Sequence, residues 1–149
     1  WTLAVAESLT CGRVQARIGA VSGASEYFLG GVTAYSLDQK VKLLGVDRAA
    51  AEPVNSVSAA VAEQMARGVC DLFGANIGAA TTGYAEPSTE HHVTQPFAWW
   101  AVARREGKHF LTRSAWVECP GASRVETQER VAEAVIVCLV ELLREARGA

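Results

Sequence analysis

A three-layer α/β/α domain around a mixed sheet is the fold this sequence predicts, and three observations carry it. Strand-like and helix-like segments alternate from Trp1 to Thr82, two strand-like runs then follow each other as an antiparallel pair, and one long amphipathic segment closes the chain. Alternation of this kind places a sheet between helices on both faces. With 149 residues, 50% of them apolar, the chain reads as one domain able to bury a sizeable core.

In chain order, Trp1 to Ala6 reads as a short buried strand, with Thr10 as the N-cap of a helix whose apolar face is Val14, Ile18 and Val21. A strand feeding a helix N-terminus through Glu7-Ser8-Leu9-Thr10 forms an anion cradle, since free amides and the helix dipole converge there. On the residues alone, Ser8 and Thr10 equally well cap the helix. A strand-like run from Phe28 to Tyr35 follows, then a short helix containing Val41 and Leu44 and stopped at Gly45. Asp47 to Val54 reads as a loop. Ser58 caps an amphipathic helix with Val61, Met65, Val69 and Leu72 on one face, ending at Gly74. Asn76 to Thr82 is a buried strand of small residues. Pro96 to Ala103 and His109 to Val117 form an antiparallel pair around a Gly107 turn, with Trp99 and Trp100 on opposite faces. A helix from about Ser123 to Arg147 carries Val131, Val135, Cys138, Leu139 and Leu142 on one face, and Ile136, Val137 and Val140 make its middle apolar nearly all round, which predicts deep burial or a subunit interface.

A net charge of −2 is unlike the basic excess of phosphate-tracking proteins, so a small-molecule partner is expected and a nucleic acid is not. Cys11, Cys70, Cys119 and Cys138 lack C-x-x-C spacing, which predicts reduced thiols in the cytoplasm rather than a zinc site or disulfides. No apolar run reaches the ~18 residues of a membrane span. Glu86, Glu90, His91 and His92 raise a metal reading, but adjacent histidines diverge and no further ligand follows at helical spacing, so a solvated loop is expected.

The chemistry concentrates between Ser22 and Lys40. Ser25 offers a hydroxyl nucleophile, Lys40 an amine that becomes a base once desolvated, and Tyr35 a phenol able to relay the proton or hold the amine. A straight strand from Phe28 to Tyr35 would span about 23 Å. Contact between Ser25 and Lys40 therefore needs a bend at Gly30-Gly31 or a meeting across a subunit boundary.

Four blocks carry a resemblance: Ala6-Glu7-Ser8-Leu9-Thr10-Cys11-Gly12, the Gly23 to Ser36 run, Lys40 to Val46, and Thr82-Gly83-Tyr84-Ala85-Glu86-Pro87. Together they resemble the CinA C-terminal domain family, the nicotinamide-nucleotide amidases. The resemblance implies a homodimer, a helix preceding Trp1, and hydrolysis of the carboxamide of nicotinamide mononucleotide without a cofactor. It implies catalytic roles for Ser25, Tyr35 and Lys40, and substrate contacts at Ser8, Thr10, Gly12, Thr82, Gly83 and Arg124, with Arg130 as a second basic group. The chain departs from the family pattern where Cys11 replaces a glycine, where Glu86 to His92 replace a glycine-rich loop, and where Ala122-Ser123 stands before Arg124 in place of a lone aspartate. The alternatives are a non-catalytic binding relative and an amidase for a less anionic substrate.

Overall fold

A computed structural model describes residues 1–148. Five strands, β1 (Leu3–Glu7), β2 (Phe28–Thr33), β3 (Ile77–Tyr84), β4 (Phe97–Glu106) and β5 (His109–Glu118), form one mixed sheet in the order β2-β1-β3-β4-β5. Strand β1 pairs in parallel with both β2 and β3, whereas β3, β4 and β5 are antiparallel. Helices α1 (Arg13–Gly19) and α5 (Arg124–Gly148) cover one face. Helices α2 (Leu37–Leu44) and α4 (Ala59–Phe73) cover the other, joined by the short α3 (Arg48–Ala51) and a 3₁₀ turn at Glu52–Val54. The predicted three-layer architecture is present.

The strand alternation sorts the core into two halves. Ala4, Ala6, Ala80, Ala101 and Ala103 meet Val61, Met65 and Val69 of α4, while Leu3, Val5, Ile77, Ala79 and Val102 meet Val14, Ile18, Val135, Leu139 and Leu142. So many alanines on the α4 face let the helix approach the sheet closely. At Gly78 the approach is closest, since a Cβ there would sit 2.0 Å from the Ala66 carbonyl oxygen. Trp99 packs on the α4 side and Trp100 on the α5 side, as their positions in the strand require. Near the turn that precedes α4, Tyr84, Phe97, Trp116 and Trp99 form a cross-strand aromatic series with centroid separations of 5.5, 5.8 and 6.2 Å.

Several local expectations change. Thr10 does not cap α1; Gly12 does, in a left-handed conformation, and Val21 lies beyond the helix at 55% exposure. Asp47 to Val54 is not loop, because the Asp47 carboxylate accepts from the Ala49 amide and starts α3. Leu72 is exposed on α4, whose buried stripe runs instead through Val61, Met65, Val69 and Cys70. Of the two outcomes expected for the apolar middle of α5, deep burial does not hold at Val137 and Val140, which are exposed within the chain. Cys11, which stands where the family pattern has glycine, is exposed at φ 48, while the other three thiols are buried.

Candidate active site

The connection from β1 to β2 runs through α1 on one face, and the connection from β2 to β3 runs through α2 and α4 on the other. The chain thus switches direction between β1 and β3, and a crevice opens outside the carboxyl ends of strands at such a point. A cleft of about 520 Å³ occurs there, lined among others by Ser8, Tyr35, Lys40, Ser56, Thr82 and Arg124.

Lys40 is the centre of this cleft. The Ser36 hydroxyl accepts from the Gln39 amide and caps α2, which places Lys40 in the first turns with its side chain leaning back towards the helix start. Its Nζ donates to the Tyr35 carbonyl oxygen at 2.8 Å and lies 3.0 Å from Ser8 Oγ. Lys40 is only 2% exposed, and burial lowers its pKa from 10.5 to about 8. A useful fraction of the amine is therefore neutral near physiological pH. The Lys40 amine thus meets the Ser8 hydroxyl, not that of Ser25.

Ser25 lies in an exposed 3₁₀ turn, Ala24–Glu26, that precedes β2, whereas Lys40 follows the far end of that strand. Six strand residues at ~3.3 Å each separate the two ends of β2 by about 20 Å. The Gly30-Gly31 pair does not fold the strand back; a bulge leaves Leu29 without a partner in the β1 register. Within the chain, Ser25 stays outside the cleft.

Neighbouring groups hold Ser8 in place. Thr81 Oγ1 accepts from the Ser8 amide at 3.3 Å and bonds the Thr10 hydroxyl at 2.8 Å, so Thr10 is a buried tie to β3 rather than part of the cleft lining. The cradle at the start of α1 is already filled: the Glu7 carboxylate accepts from the Val14 and Gln15 amides at 2.9 and 3.1 Å. Gly12 caps that helix and does not line the cleft. Thr82, facing the opposite side of β3 from Thr81, donates its hydroxyl to the Ser56 carbonyl at 2.7 Å. Its proton is committed, and only its lone pairs remain for a substrate N–H. Asn55 and Ser56 both adopt positive φ, 48 and 61, a strained turn that aims this carbonyl at β3. Gly83 lines the cleft, but its lack of a side chain also answers to packing, since a Cβ there would come within 2.5 Å of Ala98.

At the mouth, Arg124 begins α5. Ser123 and Glu126 form a reciprocal cap, with the Ser123 amide donating to Glu126 Oε2 at 2.8 Å and the Glu126 amide donating to Ser123 Oγ at 3.2 Å. From that fixed start the Arg124 guanidinium donates to Tyr35 Oη at 3.0 Å and to Glu86 Oε1 at 2.9 Å. These partners, the phenol first, raise its pKa above the ordinary value. The Tyr35 phenol thus faces Arg124, and it is the Tyr35 backbone that holds the amine. Arg130 is exposed and does not line the cleft.

Sequence reasoning placed Lys40, Ser8, Thr82, Gly83, Tyr35 and Arg124 at the site and marked Glu86 to His92 as the altered segment beside it, of which Glu86 and His91 line the cleft; it missed Ser56 and the Tyr84 ring, 5.7 Å from that of His91. The alternation of Thr81 and Thr82 across β3 was the one signal in the sequence that could have separated the tie from the wall. Among the described residues, no three of His, Cys, Asp and Glu converge as metal ligands, and no helix is long and apolar enough to cross a membrane.

A doubly covered mixed sheet with a buried amine and hydroxyl at its switch point defines an α/β domain with the makings of a serine-lysine site. The chain belongs to the CinA C-terminal domain family, whose family model matches residues 1–143. It is 51% identical over 87 residues, 58% of the chain, to a CinA-like protein of Chlorobium limicola, and covers 20% of that protein. To a CinA-like protein of Mycolicibacterium gilvum it is 40% identical over 131 residues, 87% of the chain and 30% of the relative. The chain therefore spans less than a third of the length of these relatives. Among solved structures, the CinA superfamily protein KP700603 of Klebsiella pneumoniae superposes with a TM-score of 0.86 at 25% identity, over 97% of this chain and 88% of that one. The competence/damage inducible protein CihA of Agrobacterium tumefaciens gives 0.79 at 26% identity, over 95% and 84%.

Proposed function

We propose that the chain is an amidohydrolase of the nicotinamide-nucleotide amidase type, with Ser8 as nucleophile and Lys40 as general base. The observation that carries this reading is the 3.0 Å approach of a buried amine, its pKa lowered to about 8, to the Ser8 hydroxyl. In its neutral form the amine keeps its bond to the Tyr35 carbonyl and turns its lone pair to Ser8.

The proposed reaction proceeds in two halves. Ser8 Oγ bonds to the carboxamide carbon while its proton passes to Lys40 Nζ, and the new ammonium stabilises the adjacent oxyanion. The C–N bond then breaks, and the leaving nitrogen takes the proton from Lys40 and departs as ammonia. Water attacks the ester so formed, gives its proton to Lys40, and releases the acid as Ser8 recovers its hydrogen. Thr82 accepts from the carboxamide N–H and Arg124 positions the anionic end of the substrate. The nucleophile expected at Ser25 passes to Ser8 in this scheme, Tyr35 acts through its carbonyl and through Arg124, and Thr10, Gly12 and Arg130 have no direct contact with substrate.

Ammonia release from nicotinamide mononucleotide by Ser8→Ala and Ser25→Ala tests the assignment. Loss of at least a thousandfold is expected for Ser8→Ala, on the order of what removing an activated nucleophile costs. Undiminished turnover in Ser8→Ala would overturn it. A binding module without turnover is the second reading, favoured by the Glu86 carboxylate already seated on Arg124; a wild-type chain that binds nicotinamide mononucleotide and releases no ammonia supports it.

A further inference from the structure

The cation at the cleft mouth carries a carboxylate ligand of its own. Arg124 Nη1 donates to Glu86 Oε1 at 2.9 Å, and Nη2 donates to Tyr35 Oη at 3.0 Å, so the two arms of the guanidinium fork are both engaged within the chain. All three residues line the same cleft. An arginine fork is built to grip the two oxygens of a phosphate or carboxylate, and a substrate anion must take the place that Glu86 holds. Both partners are substantially exposed, with side-chain accessibilities of 45% for Arg124 and 60% for Glu86, so the contact is weak enough to be displaced.

The charge balance around the fork points the same way. Glu52 also lines the cleft, and the other cation that lines it, Lys40, must be uncharged to work as a base. With the amine neutral, Arg124 stands against two carboxylates, and a doubly charged phosphate meets a cleft with no surplus positive charge. A ligand that is uncharged at that end loses nothing.

We infer that Glu86 is a specificity-determining residue: as the resident ligand of Arg124 it lowers the preference of the cleft for phosphate-bearing amides relative to phosphate-free ones. The inference rests on the amidase reading for its kinetic arm and on Arg124 alone for its binding arm.

The test compares the wild-type chain with Glu86→Gln, which keeps the shape and removes the charge. The first readout is the ratio of kcat/KM for nicotinamide mononucleotide to that for its phosphate-free nucleoside. The second is the affinity for inorganic phosphate by calorimetry. Glu86→Gln should raise the ratio, and tighten phosphate, by about threefold to tenfold, the scale of freeing an exposed ion pair and removing one nearby negative charge. Both gains should disappear when Arg124→Gln is added. An unchanged ratio and unchanged phosphate affinity overturn the inference, as does an equal shift for both amides or a gain that survives loss of Arg124. If neither protein releases ammonia, the amidase reading fails, and the phosphate titration still decides the role of Glu86.

Discussion

Burying an amine costs free energy whenever it carries its charge, and at Lys40 that cost lowers the pKa into the range the proposed base requires. The unfolded chain holds the lysine proton up to about 10.5 and the folded chain only to about 8. Between those values the unfolded state binds more protons, so stability rises with pH across that window, and the full penalty of ~3 kcal/mol is present below it. Lys40→Met keeps the bulk, removes the charge and gives up the bonds to the Tyr35 carbonyl and the Ser8 hydroxyl, together worth ~2 kcal/mol. The variant should be inactive yet more stable by about 1 kcal/mol at pH 7, with the gain gone by pH 10.5. Urea denaturation at the two pH values reads this, and a less stable variant at pH 7 would contradict it. Ammonia release should rise through an inflection near pH 8 as the amine loses its proton, while a flat profile from pH 6 to 10 would exclude Lys40 as the base. The importance of Lys40 was legible in the block that begins with it and not in its spacing, since Ser, Tyr and Lys at such spacing recur in many chains. That its partner is Ser8 was not, because two hydroxyls at similar chemical value differ only in which end of a strand they occupy.

Among the elements, α4 and α5 carry the clearest dependence on single residues. Gly78 lets α4 lie on β3, and a methyl group there would strike the Ala66 carbonyl oxygen and approach Cys70 Sγ at 2.7 Å. Gly78→Ala should cost about 2–4 kcal/mol, beyond the usual range for overpacking because the obstacle is backbone. A thermal melt within 2 °C of the wild type, roughly the resolution at which such a loss would be missed, would refute this. Removing the α5 cap by Ser123→Ala should lower stability by ~1 kcal/mol and raise KM through the loosened Arg124. An unaltered KM with the expected loss of stability would show that the cap does not aim the guanidinium. Helix starts of this sort were readable at Ser58 and about Ser123, each standing before an apolar periodic run, whereas the Ser36 cap of α2 emerged only from the structure. Gly12 as the start of α1 was not readable either, because the amides that a capping side chain would serve there, Val14 and Gln15, are taken by Glu7 reaching across from β1.

For the whole molecule, the cleft draws on the ends of β1 and β3, the Tyr35 turn, the Asn55-Ser56 turn and the start of α5, segments that lie far apart in the chain. The Lys40–Tyr35 turn and the Ser123–Glu126 cap are local, but the cleft that joins them to Ser8 and Thr82 requires the sheet in its β2-β1-β3 order. That alternating segments would layer as α/β/α was visible in the sequence, as was the antiparallel pair. The sheet order was not, since parallel strands leave no local turn signal and β1 has suitable partners on both sides. The aromatic series across β3, β4 and β5 then has an optical meaning. Its inner end, Tyr84, lines the cleft, and its outer end holds two indoles 6.2 Å apart with Trp116 open to water. Paired indoles at that range couple their excited states, so a ligand that shifts Tyr84 should alter the near-ultraviolet dichroism of the chain, and an unchanged spectrum at saturation would show that the series does not relay occupancy.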